Sequence, residues 1–569
     1  MDFIVSNFPF ENASQFEKLY YDGACCRQTE DKLIVRQSAD WRCFGKYAEN
    51  LERENAIRPI KDDDFYFVSD YKSGDRCVTL QTDIIAYEAV FVWHYDNYFA
   101  FSDDVLALAR AVNQSGYGKV ALDESKVREF LFYSLCLFED TIFTDVYRLP
   151  PASIIEIDVE SGSHVSTSYD QFKMTGKCSD AEEAADRLDK YLDNYFSQHY
   201  SEGTKYAIGM SGGLDSRVGA YYAKKHGYDI KPIFIGVKRN KLGIKTNDVK
   251  RAEAVNGYFG FEPITYYDPR KIELRKKVVF DAEGAPNMSS NIHQNMGVLP
   301  GFEVLINAMM GGEAFGQLAI KEVDNYSNEQ LANAILYRFG GKPRYKTANR
   351  TLIRLSKYVL PESFAKKHIY TDDSIADELI SKEQREQAEK RVLDWVIEQK
   401  RLGLDNGNIW HKMFYYRFAV IAKTGYYSTF NNSIASLPTY INAGFVREML
   451  NWDSSLLFGT PIQQALIKKL GDLANFRSQT FAPSINSKPR FRRVKKLMYI
   501  LERAIRGGAM IYPAWFSKKD ISKYKREYIL KTEIGKKIQL NNKAWLLGES
   551  KWFTVMKIAY IENCICEQF

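Results

Sequence analysis

The chain has 569 residues, of which 45% are hydrophobic and 26% charged, with a formal net charge of +6. This is an ordinary globular composition and predicts two or three domains. No apolar run reaches 18 residues, and the N-terminus, MDFIVSNFPFENASQ, lacks a basic start, so neither a transmembrane helix nor a signal peptide is predicted.

The eight cysteines form no CxxC pair and none has metal-ligand spacing to a histidine. We therefore expect reduced thiols, no zinc site and a cytoplasmic location.

The first 165 residues carry short runs in which apolar and polar residues alternate. The runs at 64–71, 77–95, 98–104 and 152–162 are typical of strands, and DNYF and DVESG are turn candidates. We predict a β-rich layered domain over residues 1–165.

The pattern changes near residue 179 to helices alternating with strands. SDAEEAADRLDKYLDNYFSQHY has an N-capping Ser or Asp, early acidic residues and apolar residues at helical spacing. Strands are then predicted at 206–210, 230–237 and 263–267, and helices at 217–226 and 247–259. Such alternation predicts a parallel sheet in an α/β domain, which we place at 179–490. Beyond residue 320 the pattern is mostly helical.

The C-terminal part of the chain is strongly basic. Residues 488–543 include 17 Lys or Arg and four Asp or Glu, a local charge of +13. RFRRVKKLMYILERAIR predicts an amphipathic helix within a basic helical extension over 491–569. Three interpretations stay open: a surface for an acidic partner such as a phosphate-bearing substrate, contact with an anionic membrane surface, or a core-packing helix with a solvated basic face. No nucleic-acid-binding module is present, so no nucleic acid is expected as a partner.

The motif SGGLDS lies between a predicted strand and a predicted helix. It consists of Ser211, Gly212, Gly213, Leu214, Asp215 and Ser216. A glycine-rich turn there gathers backbone N–H groups beside the positive end of the helix dipole, which suits phosphate. The glycines allow close backbone approach, the serines offer hydroxyl donors, and the aspartate suits Mg²⁺. No lysine follows the glycines, so the motif differs from GxxxxGK[ST] and does not require γ-phosphoryl transfer.

SGGxDS resembles the phosphate loop of the N-type ATP pyrophosphatases, and the chain as a whole resembles the asparagine synthetase family. Further segments that resemble the family are YFAFSDDVLALAR (98–110), VYRLPPASIIEID (146–158), Asp248 with Ala252, INAMMGGEAFGQ (306–317) and SLPTYINAGFVREML (436–450). The resemblance spans most of the chain. It implies a glutaminase-like Ntn-hydrolase sandwich at 1–165 and a parallel ATP-pyrophosphatase sheet with a helical C-terminal part at 179–490. It also implies that residues 211–216 bind ATP with Mg²⁺ and that a carboxylate is adenylated with release of pyrophosphate (PPi).

The N-terminal part departs from this family at its nucleophile. The family's glutaminase uses a cysteine at position 2, where this chain has Asp2. Without an N-terminal thiolate, glutamine hydrolysis is not expected. The nitrogen would come from free ammonia, from another protein or from an amine of the substrate itself.

The synthetase part departs from the family at a metal ligand and at a catalytic lysine. In INAMMGGEAFGQ the family's aspartate falls at Gly312, which leaves Glu313 as the candidate metal ligand and catalytic residue beside Asp215. The alternative is that Asp215 and the phosphates hold Mg²⁺ alone and that this loop is structural. In NFRSQTFAPS, Ser478 stands at the family's lysine position. The neighbouring Arg477 is the candidate catalytic cation that would stabilise the charge developing in the transition state. A salt bridge at a helix end is the alternative role for Arg477.

The resemblance implies an ATP-dependent carbon–nitrogen ligase that acts on a small-molecule or peptide carboxylate. Asparagine formation, closure of a lactam or macrolactam as in β-lactam synthetases and lasso peptide cyclases, and amidation of a polysaccharide sugar acid all stay open. The alternative is a non-catalytic ATP-binding scaffold, which the missing aspartate and lysine favour and the intact SGGLDS disfavours. A homodimer is left open as the assembly.

Overall fold

The computed structural model of this protein describes parts of the chain between residues 4 and 476. The described residues are 4–6, 25–29, 32–38, 66–72, 77–82, 86, 90–102, 105–133, 136–158, 160–169, 173–174, 177–236, 238–239, 243–267, 301–308, 310–316, 322–340, 363–364, 380–421 and 435–476. The predicted candidate Arg477 and the predicted basic extension at 491–569 lie outside them.

Ten strands in the N-terminal part form two antiparallel sheets. They are β1 (Ile4–Ser6), β2 (Cys25–Thr29), β3 (Lys32–Ser38), β4 (Tyr66–Lys72), β5 (Cys77–Thr82), β6 (Phe91–Tyr95), β7 (Tyr98–Ser102), β8 (Val146–Arg148), β9 (Ser153–Asp158) and β10 (His164–Ser168). One sheet has the order β1-β7-β6-β8 and the other the order β10-β9-β5-β4-β3-β2. Two helices, α1 (Val105–Ser115) and α2 (Glu124–Tyr133), follow β7.

The predicted strand runs of the N-terminal part are confirmed, and the predicted turns lie between paired strands. Asp96 in the β6–β7 turn has a φ of 54°, in the left-handed region that short turns use. In the β9–β10 turn, Oδ1 of Asp158 accepts from the backbone N–H of Ser161 at 2.7 Å. Helices α1 and α2 were not predicted, because the β-rich pattern on either side hid their helical spacing.

Five parallel strands form the second half of the fold. They are β11 (Lys205–Gly209), β12 (Asp229–Ile235), β13 (Thr265–Tyr267), β14 (Val304–Asn307) and β15 (Ala435–Pro438), in the order β13-β12-β11-β14-β15. Every adjacent pair is parallel, for example with Tyr206 opposite Ile230 and Val304. The predicted α/β class with a parallel sheet is therefore confirmed.

Nine further helices are described in this part of the chain. They are α3 (Ala181–Gln198), α4 (Leu214–Lys225), α5 (Asn247–Phe259), α6 (Gly311–Ala314), α7 (Asn328–Gly340), α8 (Lys382–Arg401), α9 (Asn406–Ile421), α10 (Ala443–Leu450) and α11 (Pro461–Lys469). Short 3-10 turns at Val323–Asn325, Ser454–Leu457 and Gly471–Asn475 link some of them. The described residues beyond 320 are mostly helical, as predicted, apart from β15.

The helix predicted after residue 179 begins and packs as its sequence indicates. Asp180 is its N-cap, and its carboxylate accepts from the backbone N–H groups of Glu182 and Glu183, which are otherwise unsatisfied at a helix start. The four apolar residues at helical spacing are all buried: Leu188, Leu192, Tyr195 and Phe196. This face joins one continuous apolar cluster that includes the parallel sheet and α4, so the cluster fixes the helix against the strands that carry the candidate site.

The ends of the three predicted parallel strands differ from the prediction by up to two residues, and two larger details also differ. Helix α4 begins at Leu214, three residues earlier than predicted, so half of SGGLDS belongs to the helix and not to a turn. Strands β14 and β15 were not predicted. Each is only four residues long, and a buried strand of that length has no periodicity that distinguishes it from a helix segment.

Helix α8 docks onto the N-terminal part through a charged cluster. Arg391 bonds to Asp140 and donates to the backbone carbonyl of Leu137 at 3.1 Å, and its guanidinium lies 3.4 Å from the carboxylate of Glu129. Burial raises the pKa of Glu129 above its usual value, although the charge of Arg391 opposes the shift. The contacts join the two parts of the chain in one structure.

Among the described residues, no helix is long and apolar enough to cross a membrane.

Candidate functional site

The candidate site lies where the strand order of the parallel sheet reverses. From β11 the chain proceeds to β12 and β13 on one side, whereas β14 and β15 lie on the other side. The connections after β11 and β14 therefore leave adjacent strands at the same edge of the sheet. In open α/β sheets this position is a crevice at the carboxyl ends of the strands and is where ligands bind.

The first loop, Ser211–Ser216, follows β11 and runs directly into α4. Gly212 has a φ of 66°, which a residue with a side chain rarely adopts. A Cβ atom at Gly212 would also lie 2.9 Å from backbone atoms of Arg251 on α5. Glycine is required here for both reasons, and the loop packs closely against the neighbouring helix.

Polar groups of Ser211, Gly213 and Ser216 in the first loop lie within hydrogen-bonding distance of one another. The hydroxyl oxygens of Ser211 and Ser216 are 3.2 Å apart, and Ser211 Oγ also accepts from the backbone N–H of Gly213 at 3.2 Å. Ser211 is exposed and Ser216 is buried. These are the donors that the sequence assigned to a phosphate, and the structure brings them together at the start of a 12-residue helix.

The second loop, Met310–Gly316, follows β14 and lies directly against Asp215. A Cβ atom at Gly311 would be 2.6 Å from both Cγ and Oδ1 of Asp215 and 2.8 Å from the ring of Tyr440. The backbone N–H of Gly312 donates to the Asp215 carboxylate. Two segments nearly 100 residues apart in the chain thus meet around one carboxylate.

Asp215 is held by amide donors in a largely desolvated setting. Its Oδ1 accepts from the side-chain amide of Gln463 at 2.5 Å. Burial, and to a smaller extent the charge of Glu313, raises the pKa of this carboxyl from 3.8 to about 6. The hydrogen bonds from Gln463 and Gly312 oppose the rise. Desolvation disfavours the charged form, so a cation beside Asp215 would be strongly favourable.

Glu313 gives the site a second carboxyl group in a similar setting. Its pKa is also raised above the usual value, with burial as the main cause. Two carboxyl groups that are shielded from water, with the charge of Glu313 raising the pKa of Asp215, are suited to a divalent cation. Mg²⁺ is commonly held by one or two carboxylates together with substrate phosphates and water, so Asp215 and Glu313 fit that ion. No group of three or more His, Cys, Asp or Glu that could hold a metal without a substrate occurs in the described part of the chain.

Sequence reasoning missed two residues that shape this carboxyl site. Gln463 lies in the first turn of α11, and the hydroxyl of Tyr440, just after β15, donates to the backbone carbonyl of Asp215 at 3.1 Å. Both are more than 200 residues from SGGLDS, so no local spacing could have indicated them. Tyr440 falls inside a segment that resembles the family, but that resemblance assigned it no role.

If Asp215 holds Mg²⁺ beside a phosphate-bearing ligand, Gln463→Leu is expected to raise the Mg²⁺ concentration needed for half-maximal ATP binding by about 10–100-fold, the usual effect of losing a residue that orients a metal ligand. Leucine keeps the volume but removes the donor that fixes Oδ1 of Asp215. The measurement is a Mg²⁺ titration at fixed ATP. Gln464→Leu is the matched control, because the neighbouring glutamine donates to the carbonyl of Gly459 instead. An equal shift in the two variants would contradict the role given to Gln463.

The structure describes every predicted site residue except Arg477. The structure places Ser211, Gly212, Gly213, Leu214, Asp215 and Ser216 together with Glu313 around the crevice at the switch point. Asp248, in the first turn of α5, lies 3.2 Å from Arg251, the residue that covers Gly212. Arg477 is outside the described residues, and Phe476 before it is the last residue described.

Comparison with known proteins adds no assignment. No protein-family model and no curated protein matches this chain.

Proposed function

We propose that this protein is an ATP-dependent carbon–nitrogen ligase of the asparagine synthetase type, which adenylates a carboxylate and releases PPi. The observation that carries the proposal is the meeting of SGGLDS and the Gly312–Glu313 loop around Asp215 at the switch point of a parallel sheet. A phosphate loop and a pair of desolvated carboxyls on facing loops are what a Mg²⁺-bound triphosphate requires.

Each group has a distinct role in this proposal. The serine hydroxyls and the backbone N–H groups of the first loop bind the β- and γ-phosphates, which leave as PPi. Asp215 and Glu313 hold Mg²⁺, which when bound neutralises phosphate charge. Arg477 remains the proposed cation for the charge that develops at the reacting centre. The finer architecture, a glutaminase-like Ntn sandwich joined to an ATP-pyrophosphatase domain with a basic helical extension, belongs to the same proposal.

The acyl substrate is proposed as a small-molecule or peptide carboxylate, and the nitrogen as free ammonia or an amine. The test is product analysis from Mg·ATP with a panel of carboxylates, including peptides and sugar acids, and with ammonia or glutamine. AMP and PPi that form only with one carboxylate and an amine support the ligase. Formation of ADP and phosphate would contradict it, because cleavage would then be at the γ-phosphate.

A second candidate function is a nucleotide-binding scaffold without turnover. It is favoured by Gly312, which stands where the family's aspartate falls and leaves the second loop with Glu313 alone. Saturable ATP binding in the absence of AMP formation with every carboxylate of the panel would favour the scaffold over the ligase.

Cys25→Ser and Cys26→Ser are expected to leave ammonia-dependent PPi release unchanged, because the proposed reaction uses ammonia or an amine directly and no cysteine. Glutamine is expected to support no activity above the background without ammonia, in the unmodified protein and in both variants. The measurement is PPi release with each nitrogen source. Glutamine-dependent release that disappears in either variant would show that a cysteine near the N-terminus is a glutaminase nucleophile.

A further inference from the structure

Arg217, directly after SGGLDS, is one of the most deeply buried charged residues described. Its side chain is fully buried, with 0% exposure, although the first loop beside it opens to the crevice. Burial, and to a smaller extent the neighbouring Arg251, lowers its pKa to about 10, so the guanidinium stays charged at neutral pH. A charged group in this position requires several hydrogen bonds to be tolerated.

One edge of the Arg217 guanidinium fixes the first loop. Nε and Nη2 both donate to the backbone carbonyl of Gly212, at 3.2 and 2.9 Å. The carbonyl of Gly212 and the N–H of Gly213 belong to one trans peptide and point in opposite directions. Because Arg217 holds the Gly212 carbonyl toward the buried side of the loop, the Gly213 N–H points toward exposed Ser211.

The remaining nitrogen of the same guanidinium reaches a distant part of the chain. Nη1 donates to the backbone carbonyls of Leu473 and Phe476, at 3.0 and 3.2 Å, and the Phe476 ring centroid is 5.9 Å from the guanidinium carbon. These residues belong to the segment 471–476, which ends one residue before Arg477. A single rigid, planar group therefore bridges the first loop and this segment.

We propose that Arg217 is a positioning residue that couples the first loop to the segment 471–476, so that nucleotide bound at the loop orders the segment. The coupling rests on the proposed function, because it requires a phosphate-bearing ligand at Ser211–Ser216. A phosphate that replaces Ser211 Oγ as the acceptor of the Gly213 N–H fixes the 212–213 peptide. Through the Gly212 carbonyl it then fixes Arg217 and the two carbonyls to which Nη1 donates. Lysine cannot replace arginine in this role, because its single ammonium lacks the planar fork that binds both sides at once.

The test is hydrogen–deuterium exchange of the full chain with and without Mg·α,β-methylene-ATP, an analogue that cannot release PPi. In the unmodified protein, the analogue is expected to slow exchange in peptides covering both 211–216 and 471–476. In Arg217→Lys, protection at the loop is expected to persist, whereas nucleotide-dependent protection at 471–476 is lost. By linkage, the same variant should bind the analogue about fivefold or more weakly, within the usual range of coupling between sites.

Tyr258→Leu is the matched control for simple packing. Tyr258 contacts the same segment, with its ring centroid 5.6 Å from that of Phe476, but it lies on α5 and is 44% exposed. If the segment only needs packing, Tyr258→Leu should lose nucleotide-dependent protection at 471–476 as Arg217→Lys does; the proposal predicts that it keeps this protection.

Phe476→Leu covers the case in which Arg217→Lys does not fold. It leaves Arg217 in place and removes only the ring that packs on the guanidinium, so the proposal predicts weaker protection at 471–476 with full protection at the loop. Protection of the segment that persists in Arg217→Lys, or an unmodified protein protected only at the loop, would overturn the coupling. If the analogue does not protect the loop of the unmodified protein, the nucleotide site is wrong. In that case the ligand-free proteins still test Arg217: exchange of 471–476 that is the same in Arg217→Lys as in the unmodified protein would show that Arg217 does not hold the segment.

Discussion

Asp215→Asn is expected to reduce Mg·ATP-dependent PPi release by at least about 100-fold. Loss of a residue that only orients a metal ligand typically lowers metal affinity or activity by about 10–100-fold, and loss of the ligand itself should have a larger effect. Asparagine has the same shape and can still accept from Gln463, but it has no charge with which to hold Mg²⁺. The measurement is the rate of PPi release at saturating Mg·ATP and carboxylate.

The same substitution is expected to leave thermal stability unchanged or to raise it. Burial raises the pKa of Asp215 to about 6 in the folded state, above the 3.8 of the unfolded chain. The folded state therefore favours the protonated form, and ionisation of Asp215 costs stability. That cost develops as pH rises from about 4 to 6 and is complete above pH 6. Asparagine avoids it, so the gain in unfolding temperature over the unmodified protein should be larger at pH 7.5 than at pH 4.5.

Asp193→Asn is the control for loss of a carboxylate next to the same helix. Asp193 pairs with Lys225 and His226 at the opposite end of α4, at 2.8 Å in both cases. Asp193 itself is on α3, and its two partners are at the end of α4 farthest from the first loop. Partly exposed ion pairs contribute about 1 kcal/mol or less. Asp193→Asn should therefore retain PPi release. Full activity in Asp215→Asn, or equal loss in the two variants, would contradict the metal-binding role of Asp215.

Gly311→Ala is expected to reduce PPi release by roughly 100-fold, since a displacement of about 1 Å at a reacting site can cost that much. The added methyl group would lie 2.6 Å from Asp215 Cγ and Oδ1, and 2.8 Å from the Tyr440 ring. Either the carboxylate or the second loop must move, and both displace the pair formed by Asp215 and Glu313. The measurement is again PPi release, with circular dichroism to show that the fold is retained.

Gly257→Ala is the matched control for adding a methyl group to a glycine. Gly257 lies within α5, and a Cβ atom there would meet no heavy atom within 4 Å. Alanine is favoured over glycine in a helix by roughly 0.5–1 kcal/mol, so this variant should be slightly more stable and fully active. If Gly311→Ala kept full activity, the close approach of the second loop to Asp215 would have no functional meaning.

The first loop could be predicted from the sequence because its meaning is local. A strand, two glycines and a helix start within 12 residues specify a turn with exposed N–H groups. The structure differs in placing the strand one residue earlier, at Lys205–Gly209, and in starting α4 at Leu214. The helix at Asn247–Phe259 was predicted to the residue, because Thr246 caps it and Gly260 ends it in a left-handed conformation. Local chemistry of this kind does not depend on the rest of the fold.

The groups that complete the site depend on tertiary contacts and could not be predicted. Gln463 reaches Asp215 across 248 residues, and Arg217, which also donates to Gly212, reaches Leu473 across 256. Nothing in the immediate sequence of Gln463 distinguishes it from Gln464, which bonds elsewhere. Glu313 could be named only through the family resemblance, and its burial beside Asp215 follows from the pairing of β14 with β11.

The account is tested most directly by calorimetric titration of Mg·ATP into the full-length protein at pH 7.5. It predicts saturable binding that requires Mg²⁺, is retained by Asp193→Asn and is lost or strongly weakened in Asp215→Asn. Absence of binding to the unmodified protein, or binding of equal strength in Asp215→Asn, would show that the crevice between the two loops is not a Mg·ATP site.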